Sequence, residues 1–507
     1  MARHFARTHF VSKRPGWEIG ALLGLVVVCL SLRLVNLDAL PIFVDEADTV
    51  QSATLIGAHP GAPTWLTSLN LGVYPLFPWL VAPFTRLIHD SLLASRYAAA
   101  GIGSIGLIGV WATARLLWGL RVGLLAAVFY AVSPLLVFHN RMVVPDGLVA
   151  TCGAGALFFA VQLSRSARTR DACALGLCLA AGSLTKIFAL TLLLLPLLAV
   201  ISALPEQRRS VRKKALAAAL LGVLPLLWLL STPQSVEHRI EVQTRMVSMG
   251  AIPDIIFTQL HVFAVALWTH ITPPILALAL IGLWSIRRER AILLVGSWAI
   301  LSGLLRVIAP FSYITPRHFV YVAIPVVILA ARGLDELIGA IPRFVRYMPS
   351  WAVVLLGAGI AICPALAQDD VMITAPANAP FLPFDRSQYV TGWPSGYAIR
   401  RVVSYLRHQE IRRPVTVIAP SWYPTLGSME IALAPERSIK LANIGFTGLS
   451  DQLIEHDRNR QIYILAFHRA DVTYGPDTRH LRLVLTANNA DRFSSYALYA
   501  PKADSFR

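Results

Sequence analysis

Three carboxylates, Asp45, Glu46 and Asp48, lie together in the segment PIFVDEADTV, shortly after a first long apolar stretch at about 17–35. Acid is scarce in this chain, which has 28 Asp and Glu against 45 Lys and Arg. A carboxylate held against a membrane surface is unfavourable unless it has a partner, so this group is predicted to be functional. A carboxylate within hydrogen-bond reach of a hydroxyl or amine can act as a general base.

Two of these acids also have a purely structural explanation. The segment DEADTVQSATLI predicts a helix, so Asp45 could simply be its N-cap. Asp48 lies one turn further on the same face, which fits a solvated helix surface as well as a substrate contact. Because two further acids accompany Asp45, we favour Asp45 as the reactive carboxylate, with Glu46 beside it.

The elements that must position these acids are membrane helices. Of the 507 residues, 56% are hydrophobic and 14% are charged, and the mean hydropathy is +0.60. A soluble chain would carry about a quarter charged residues. Apolar runs of about 20 residues, each long enough to span a bilayer, recur to about residue 367. All five cysteines lie in apolar stretches, so small buried hydrophobes are predicted rather than disulfides or metal ligands.

The net charge of +17 raises the question of nucleic acid, but its distribution argues against it. Basic residues cluster in short loops between apolar runs, such as RRSVRKK at 208–214 and RRER at 287–290. This is the pattern of loops on the cytoplasmic side of a membrane. It predicts a cytoplasmic N-terminus and no nucleic-acid partner.

The basic loops also predict the number of crossings. A segment at 71–88 contains three prolines, which would break a spanning helix, so a re-entrant or interfacial segment is predicted there. The predicted fold class is a polytopic α-helical membrane protein (1–367) followed by a small extracytoplasmic α/β domain (368–507). The eleven predicted spans are 17–35, 95–116, 123–138, 147–163, 171–184, 187–204, 215–231, 263–286, 291–309, 319–338 and 351–367.

This topology collects acid and base on the outer face from distant parts of the chain. Beside Asp45 it brings Arg141, Asp146, Lys186 and the pair Arg317–His318. Such a set could hold an anionic lipid headgroup and supply a general base. The alternatives stay open: Asp146 lies in a Pro-Asp-Gly turn, Arg141 could be an interfacial anchor, and Lys186 could snorkel. Arg317 and His318 could equally be residues of the membrane edge.

The tail changes character and is predicted to be a small α/β domain. VTVIAP (415–420) and QIYILAF (461–467) are typical of buried strands, and 395–409 has helical spacing. The motif GWPSGY, which contains Trp393 and Tyr397, is a candidate for gating the site or selecting the acceptor. Aromatic residues that could stack on a sugar, or form an interfacial belt instead, are Trp65, Tyr74, Trp79 and Trp393.

With the residues arranged in this way, the chain resembles the GT-C glycosyltransferases. More narrowly, it is similar to the branch of protein O-mannosyltransferases and the lipid A aminoarabinose transferase. The resemblance covers about 1–340, and the tail segment DRSQYVTGWPSGYAIRRVVSYLR looks like one in bacterial family 39-like glycosyltransferases. The motifs that carry the resemblance, in order along one face, are VDEAD, HNRMVVPDG, LAAGSLTKIF and PRHFVYVAIP.

The resemblance implies an inverting transfer of a hexosyl or pentosyl group from a polyprenyl-phosphate donor outside the cytoplasm. It implies that Asp45 is the general base, that Glu46 is its neighbour and that Asp146 is the second acid of the site. It also implies phosphate contacts from Lys186 and Arg317. One segment departs from the aminoarabinose transferase, because LGVYPLFPW has Tyr74 and Pro75 where that enzyme has Glu-Lys-Pro. A metal site built on that glutamate is therefore not carried over.

No metal ligand is assigned, although Asp45 and Asp146 could share a divalent cation, Mg²⁺ or Mn²⁺. The expected partners are a polyprenyl-phosphate sugar, a protein, lipid or glycan acceptor, and the lipid bilayer of the inner or plasma membrane. Two other classes remain. A lipid-linked-sugar transporter would be expected to show paired repeats and broken helices at mid-membrane, whereas the sequence shows no internal repeat and its charges lie at one face rather than at the midplane. A non-catalytic assembly protein would need only the tail.

Overall fold

A computed structural model gives the architecture as a helical body followed by a mixed β-sheet. Apolar helices make up most of the described chain up to residue 374, and the described strands begin at Val415. The structure describes residues 16–61, 73–232, 252–308, 315–340, 350–410, 413–420, 425–434, 438–444, 460–469, 472–474, 481–491 and 493–502.

The helices of the first half follow the predicted apolar runs closely. They are α1 Gly16–Leu34, α2 Val44–Ala58, α3 Leu76–Thr85, α4 Ser91–Trp118, α5 Leu120–Ala131, α6 Pro134–Asn140, α7 Asp146–Ser166, α8 Thr169–Ser183, α9 Leu194–Ser202 and α10 Pro205–Leu230. A 3₁₀ turn, Ile187–Leu193, precedes α9.

The second half contains more irregular helix starts. Its helices are α11 Ile252–His270, α12 Pro273–Ser285, α13 Ser297–Ile308, α14 Ala323–Ala340, α15 Ser350–Thr374, α16 Pro383–Arg386, α17 Tyr397–Glu410 and α18 Thr425–Leu433. The short 3₁₀ and π-helical turns are Ile292–Gly296, Pro316–Val322, Pro376–Asn378, Ser387–Thr391 and Trp393–Ser395.

These helices make the chain a multi-pass membrane protein. Among the residues described, five helices are long and apolar enough to cross a bilayer, or seven if each of two bent helix pairs counts as one span. The count of eleven spans therefore stays a prediction, as does the side of the membrane on which the tail lies. The segment at 71–88 forms only the ten-residue helix α3, about 15 Å long, which is half of what a bilayer core requires.

Each of the two bent helix pairs stands where the sequence predicted one span, and the sharper break lies in the later pair. The stretch predicted as 263–286 consists of the end of α11 and all of α12, which meet at an angle of 108°. The cause is local: Pro273 and Pro274 follow Thr272 and disfavour helical backbone before them. Thr272 adopts a positive φ of 74°, which an L residue with a branched side chain rarely does.

The last apolar helix also differs from its prediction, because α15 runs past the boundary at 367 to Thr374. The predicted strands and the tail helix are present as β1, β3 and α17. The six strands are β1 Val415–Pro420, β2 Ile439–Ile444, β3 Gln461–Arg469, β4 Val472–Tyr474, β5 Leu481–Asn488 and β6 Ser494–Pro501. The order is β2-β1-β3-β6-β5, with β4 beside β3, and β1 pairs in parallel with both of its neighbours.

The tail is seated on the loop that leads into α2. Gly396 has a φ of +71°, and a Cβ there would lie 2.1 Å from the Ile42 carbonyl oxygen, so only glycine allows this approach. Arg400 donates hydrogen bonds to the carbonyls of Ala39, at 3.1 Å, and Asp38. The motif GWPSGY therefore packs directly against the backbone that precedes Asp45.

Candidate active site

Helix α2 begins with a capping interaction that does not involve Asp45. Phe43 is the N-cap residue, and its backbone N–H donates to Glu46 Oε2 at 3.1 Å. Glu46 therefore supplies the side chain that satisfies the helix start, as in a capping box. The explanation of Asp45 as a simple N-cap is excluded, and its carboxylate is available for another interaction.

Glu46 is fully enclosed. It is 0% exposed and forms a two-pronged ion pair with Arg96, whose Nε and Nη2 donate at 2.9 and 2.6 Å. The backbone N–H of Val143 donates to it at 2.9 Å. A carboxylate with all of its acceptor sites used and no access to substrate cannot abstract a proton. The predicted catalytic role for Glu46 is therefore corrected to a structural one.

Asp45 has the opposite environment. Its side chain is 41% exposed, and its Oδ2 accepts a hydrogen bond of 2.5 Å from Arg317 Nη1. The 3₁₀ turn Pro316–Val322 presents Arg317, and the guanidinium lies 5.5 Å from the centre of the Phe43 ring. The structure thus brings together the acid and the base that the sequence placed on one face from opposite ends of the helical body.

Asp146 and Lys186 form a second pair. Asp146 is the first residue of α7, where the helix N-terminus favours negative charge, and Lys186 Nζ donates to its Oδ1 at 2.8 Å. The other oxygen, Oδ2, is buried and has no hydrogen-bond partner among the described residues. Lys186 also interacts electrostatically with Arg317 and Asp45, so the two pairs form one charged site.

An aromatic ring organises the cations of this site. Phe188 lies beneath Lys186, whose Nζ is 5.5 Å from the ring centre, and beneath Arg306 at 4.6 Å. The His318 imidazole packs on the same ring at 4.7 Å, and its Nδ1 lies 2.8 Å from Arg306 Nη2. Lys186, Arg306 and Arg317 therefore form a connected cationic cluster that includes the His318 imidazole as a neutral acceptor, and Arg306 was not predicted.

Arg141 does not belong to this cluster. Its guanidinium donates to carbonyls at the end of α1, among them Val35 at 2.7 Å and Asn36 at 2.9 Å. These carbonyls have no partner within the helix, so Arg141 acts as a side-chain cap. Because both Nη groups of Arg141 already donate to these carbonyls, its predicted role as a phosphate ligand has no support from these contacts and stays a prediction.

The remaining predicted contacts surround the site. Asp48 is buried, so its interpretation as a solvated face was wrong, and its contact with a substrate stays a prediction. Tyr74 precedes α3, whose first N–H, at Leu76, donates to the Leu184 carbonyl in the turn that carries Lys186. Trp65 lies outside the described residues.

Trp393 and Tyr397 lie where the tail packs against the loop before α2. Both are half-buried and contact an apolar cluster that joins the loop before α2 to the tail. This junction cluster, as we call it, comprises Leu40, Phe43, Val44, Phe138, Met142, Val144, Met372, Ala379, Phe381, Tyr389 and Val390. Direct contact of either aromatic residue with a sugar stays a prediction.

Three residues of the site escaped sequence reasoning. Arg96 and Arg306 each interrupt an apolar helix, and an isolated charge in such a run is itself a signal of function or of a buried partner. Tyr389 gives no such signal, because a single tyrosine in a polar tail is common. Its position became meaningful only once the tail was seen to pack on Phe43.

A divalent cation shared by Asp45 and Asp146 stays a prediction, and both carboxylates are already engaged by basic side chains. The described part of the chain holds no group of three or more His, Cys, Asp or Glu that could ligate a metal. Mg²⁺ and Mn²⁺ prefer several oxygen ligands. The mechanism proposed below therefore contains no step through a metal.

Comparisons with known proteins agree with this architecture. A family model of dolichyl-phosphate-mannose-protein mannosyltransferases matches residues 72–230, and no match was found among curated proteins. ArnT from Cupriavidus metallidurans bound to undecaprenyl phosphate is 16% identical, with a TM-score of 0.62 over 96% of this chain and 98% of that one. Its apo form gives 16% identity and 0.61 over 95% and 98%.

A more distant solved structure has the same general arrangement. The oligosaccharyltransferase of Archaeoglobus fulgidus in complex with Zn and sulfate is 13% identical, with a TM-score of 0.50 over 88% of this chain and 67% of that one. At these identities the likeness shows the fold. The chain is thus a multi-pass membrane protein with the GT-C glycosyltransferase fold, as the sequence resemblance predicted.

Proposed function

We propose that the protein is an inverting glycosyltransferase that uses a polyprenyl-phosphate sugar and an acceptor on the extracytoplasmic side. The observation that carries this proposal is the site itself, in which an accessible carboxylate, Asp45, touches a buried cationic cluster. Such a cluster is suited to a phosphate, and an accessible carboxylate beside it is suited to a general base. The similar ArnT structure, whose bound ligand is undecaprenyl phosphate, supports the same donor class.

The contact between Asp45 and Arg317 suggests how the donor prepares the base. Arg317 Nε has no hydrogen-bond partner among the described residues, so the guanidinium has spare donor capacity for a phosphate oxygen. A phosphate that binds Arg317 competes with Asp45 for the same charge. Asp45 is then released from the ion pair and becomes more basic when the donor is in place.

The reaction needs one displacement. The acceptor O–H or N–H gives its proton to Asp45 while the acceptor atom attacks the anomeric carbon. The bond from that carbon to the phosphate oxygen breaks, and its electron pair leaves with the polyprenyl phosphate. Arg317 and Lys186 stabilise the negative charge that develops there. Attack from the face opposite the leaving group inverts the anomeric centre.

Asp146 and Glu46 support this chemistry in different ways. Asp146 fixes Lys186 through Oδ1, and its buried Oδ2 can accept a hydrogen bond from a hydroxyl of the donor sugar. Glu46 fixes the start of α2, so that Asp45 faces Arg317.

The test compares sugar transfer by the wild type and Asp45→Asn. Purified proteins in liposomes receive a panel of radiolabelled polyprenyl-phosphate sugars and membrane acceptors. General-base catalysis is worth about 10²–10⁴-fold, so Asp45→Asn should lose at least about 10²-fold in rate. Glu206→Gln, an exposed acid at the start of α10, is the matched control and should transfer at the wild-type rate.

Two results would contradict the proposal in different ways. Equal transfer by wild type and Asp45→Asn would remove Asp45 from the mechanism. Absence of transfer from every donor, together with movement of the lipid across the bilayer, would favour a transporter.

A further inference from the structure

Tyr389 brings a buried phenol from the tail to the charged site. It lies in the π-helical turn Ser387–Thr391 and is 1% exposed. Its ring contacts Phe43 and Phe138 edge-on, with centroids 5.0 Å away in both cases. Phe43 is the residue that starts α2 and also lies against Arg317. The Tyr389 ring therefore packs on Phe43, the residue that starts the helix of Asp45 and also contacts Arg317.

The hydroxyl of Tyr389 is left without a hydrogen-bond partner in the described portion of the chain. Leaving a buried polar group unsatisfied is unfavourable, so such a group in a folded protein calls for an explanation. The charged groups that interact with it electrostatically are Arg317, Asp385, Asp146 and Asp45. The hydroxyl thus lies among the groups that surround the proposed reaction centre.

Two further buried polar atoms near Tyr389 are also unsatisfied. Asp146 Oδ2 and His139 Nε2 likewise have no partner within the described ranges. The rings of His139 and Tyr389 are 6.4 Å apart, and His139 interacts electrostatically with Asp146. His139 Nδ1 donates to the Leu135 carbonyl at 2.8 Å, so Nε2 is an acceptor when the ring is neutral. Three unsatisfied groups around one site indicate that a ligand completes their hydrogen bonds.

The chemistry of the phenol indicates which part of the ligand it contacts. Burial raises the pKa of Tyr389 well above its ordinary value, so the group stays protonated and can donate. An O–H donor beside a guanidinium is best satisfied by an anionic oxygen, to which both can donate. Asp146 Oδ2 and His139 Nε2 can only accept, which suits the hydroxyls of a sugar.

We propose that Tyr389 is a substrate-binding residue supplied by the tail, whose phenol donates a hydrogen bond to a phosphate oxygen of the polyprenyl-phosphate donor. This inference rests on the proposed function, since it names a further contact of the same site. It also gives the tail a direct part in donor recognition, because Tyr389 reaches the site only when the tail is seated on the loop before α2.

The test measures binding of polyprenyl phosphate and of uncharged polyprenol to the detergent-solubilised full chain. Tyr389→Phe removes the unsatisfied hydroxyl and keeps the ring packing, so its melting temperature should equal or exceed that of the wild type. A hydrogen bond to a charged group contributes about 1.5–3 kcal/mol, so we expect about tenfold or greater weakening for polyprenyl phosphate. Polyprenol should bind both proteins equally.

The matched control is Tyr463→Phe, a change at a buried tyrosine in the core of the tail sheet. It should bind polyprenyl phosphate as the wild type does. Equal lipid affinity of Tyr389→Phe and the wild type would overturn the assignment of Tyr389 alone. A wild type that binds polyprenyl phosphate no better than polyprenol would overturn the donor class, and with it the proposed function.

Discussion

Two groups of cations near α2 differ in how fully their donors are used. At the base of the loop, Arg96 is 2% exposed and donates to Glu46 and to the carbonyls of Leu37, Leu40 and Pro41. At the rim, Arg317 and Lys186 each pair with one carboxylate and retain further N–H groups. The N–H donors of the base group are used within the protein, whereas the rim group can still bind an anion.

The same contrast separates two residues that are adjacent in sequence. Glu46 faces the base and Asp45 faces the rim, because neighbouring positions on a helix point about 100° apart. The capping requirement at the start of α2 is met by Glu46, which leaves Asp45 accessible. The two acids of an Asp-Glu pair at a helix start can thus have different roles. One accepts the capping hydrogen bond from the backbone, and the other faces the substrate.

The largest effect should come from breaking the base pair. Arg96→Met leaves the Glu46 carboxylate buried without its cation, which typically costs about 3–5 kcal/mol of unfolding free energy. We expect a low yield of folded protein and a strongly reduced melting temperature in detergent. The double variant Glu46→Gln/Arg96→Met should recover part of the loss, because it removes the unpaired charge.

Arg317→Met provides the comparison for that experiment. Its partner Asp45 is partly exposed, and pairs of this kind contribute about 0–1 kcal/mol. If Arg317→Met destabilised the fold as much as Arg96→Met, the distinction between base and rim would be wrong.

A smaller effect, on ligand binding, is expected at Lys186. Lys186→Met should weaken polyprenyl-phosphate binding about 10–100-fold, the value of one charge-assisted hydrogen bond. Lys186→Arg keeps a cation and should recover part of the affinity. Lys213→Met, at an exposed lysine of the basic loop 208–214, is the control and should bind as the wild type does. A similar loss in both methionine variants would indicate non-specific attraction of the anionic lipid.

Much of the helical body could be predicted from the sequence, because apolar runs of bilayer length are a strong signal. The ends of α1, α4 and α7 lie within a few residues of their predictions. The break at Thr272 was missed because the hydrophobic run continues through the two prolines that end the helix. The helix and strands of the tail were predicted from periodicity, whereas its seat on Ile42 depends on a glycine whose role only the fold reveals.

The site was harder to predict because sequence shows charge but not what each charge contacts. Asp45, Asp146, Lys186 and Arg317 were placed on one face, and the structure brings them together. Arg141 had the same signature, a cation in an outward loop, yet it donates its hydrogen bonds to backbone carbonyls. Arg96, in contrast, carried the signature of a buried charge and was overlooked beside the more conspicuous acids.

Arg141 offers the finest test of the comparison, because the sequence assigned it to the rim and the structure assigns it to the base. Arg141→Met removes the donors to the last carbonyls of α1, and we expect a loss of about 1–2 kcal/mol in unfolding free energy. Denaturation should show this loss, while the folded protein keeps wild-type affinity for polyprenyl phosphate. Weakened lipid binding without a change in stability would return Arg141 to the phosphate site and show that the base also contacts substrate.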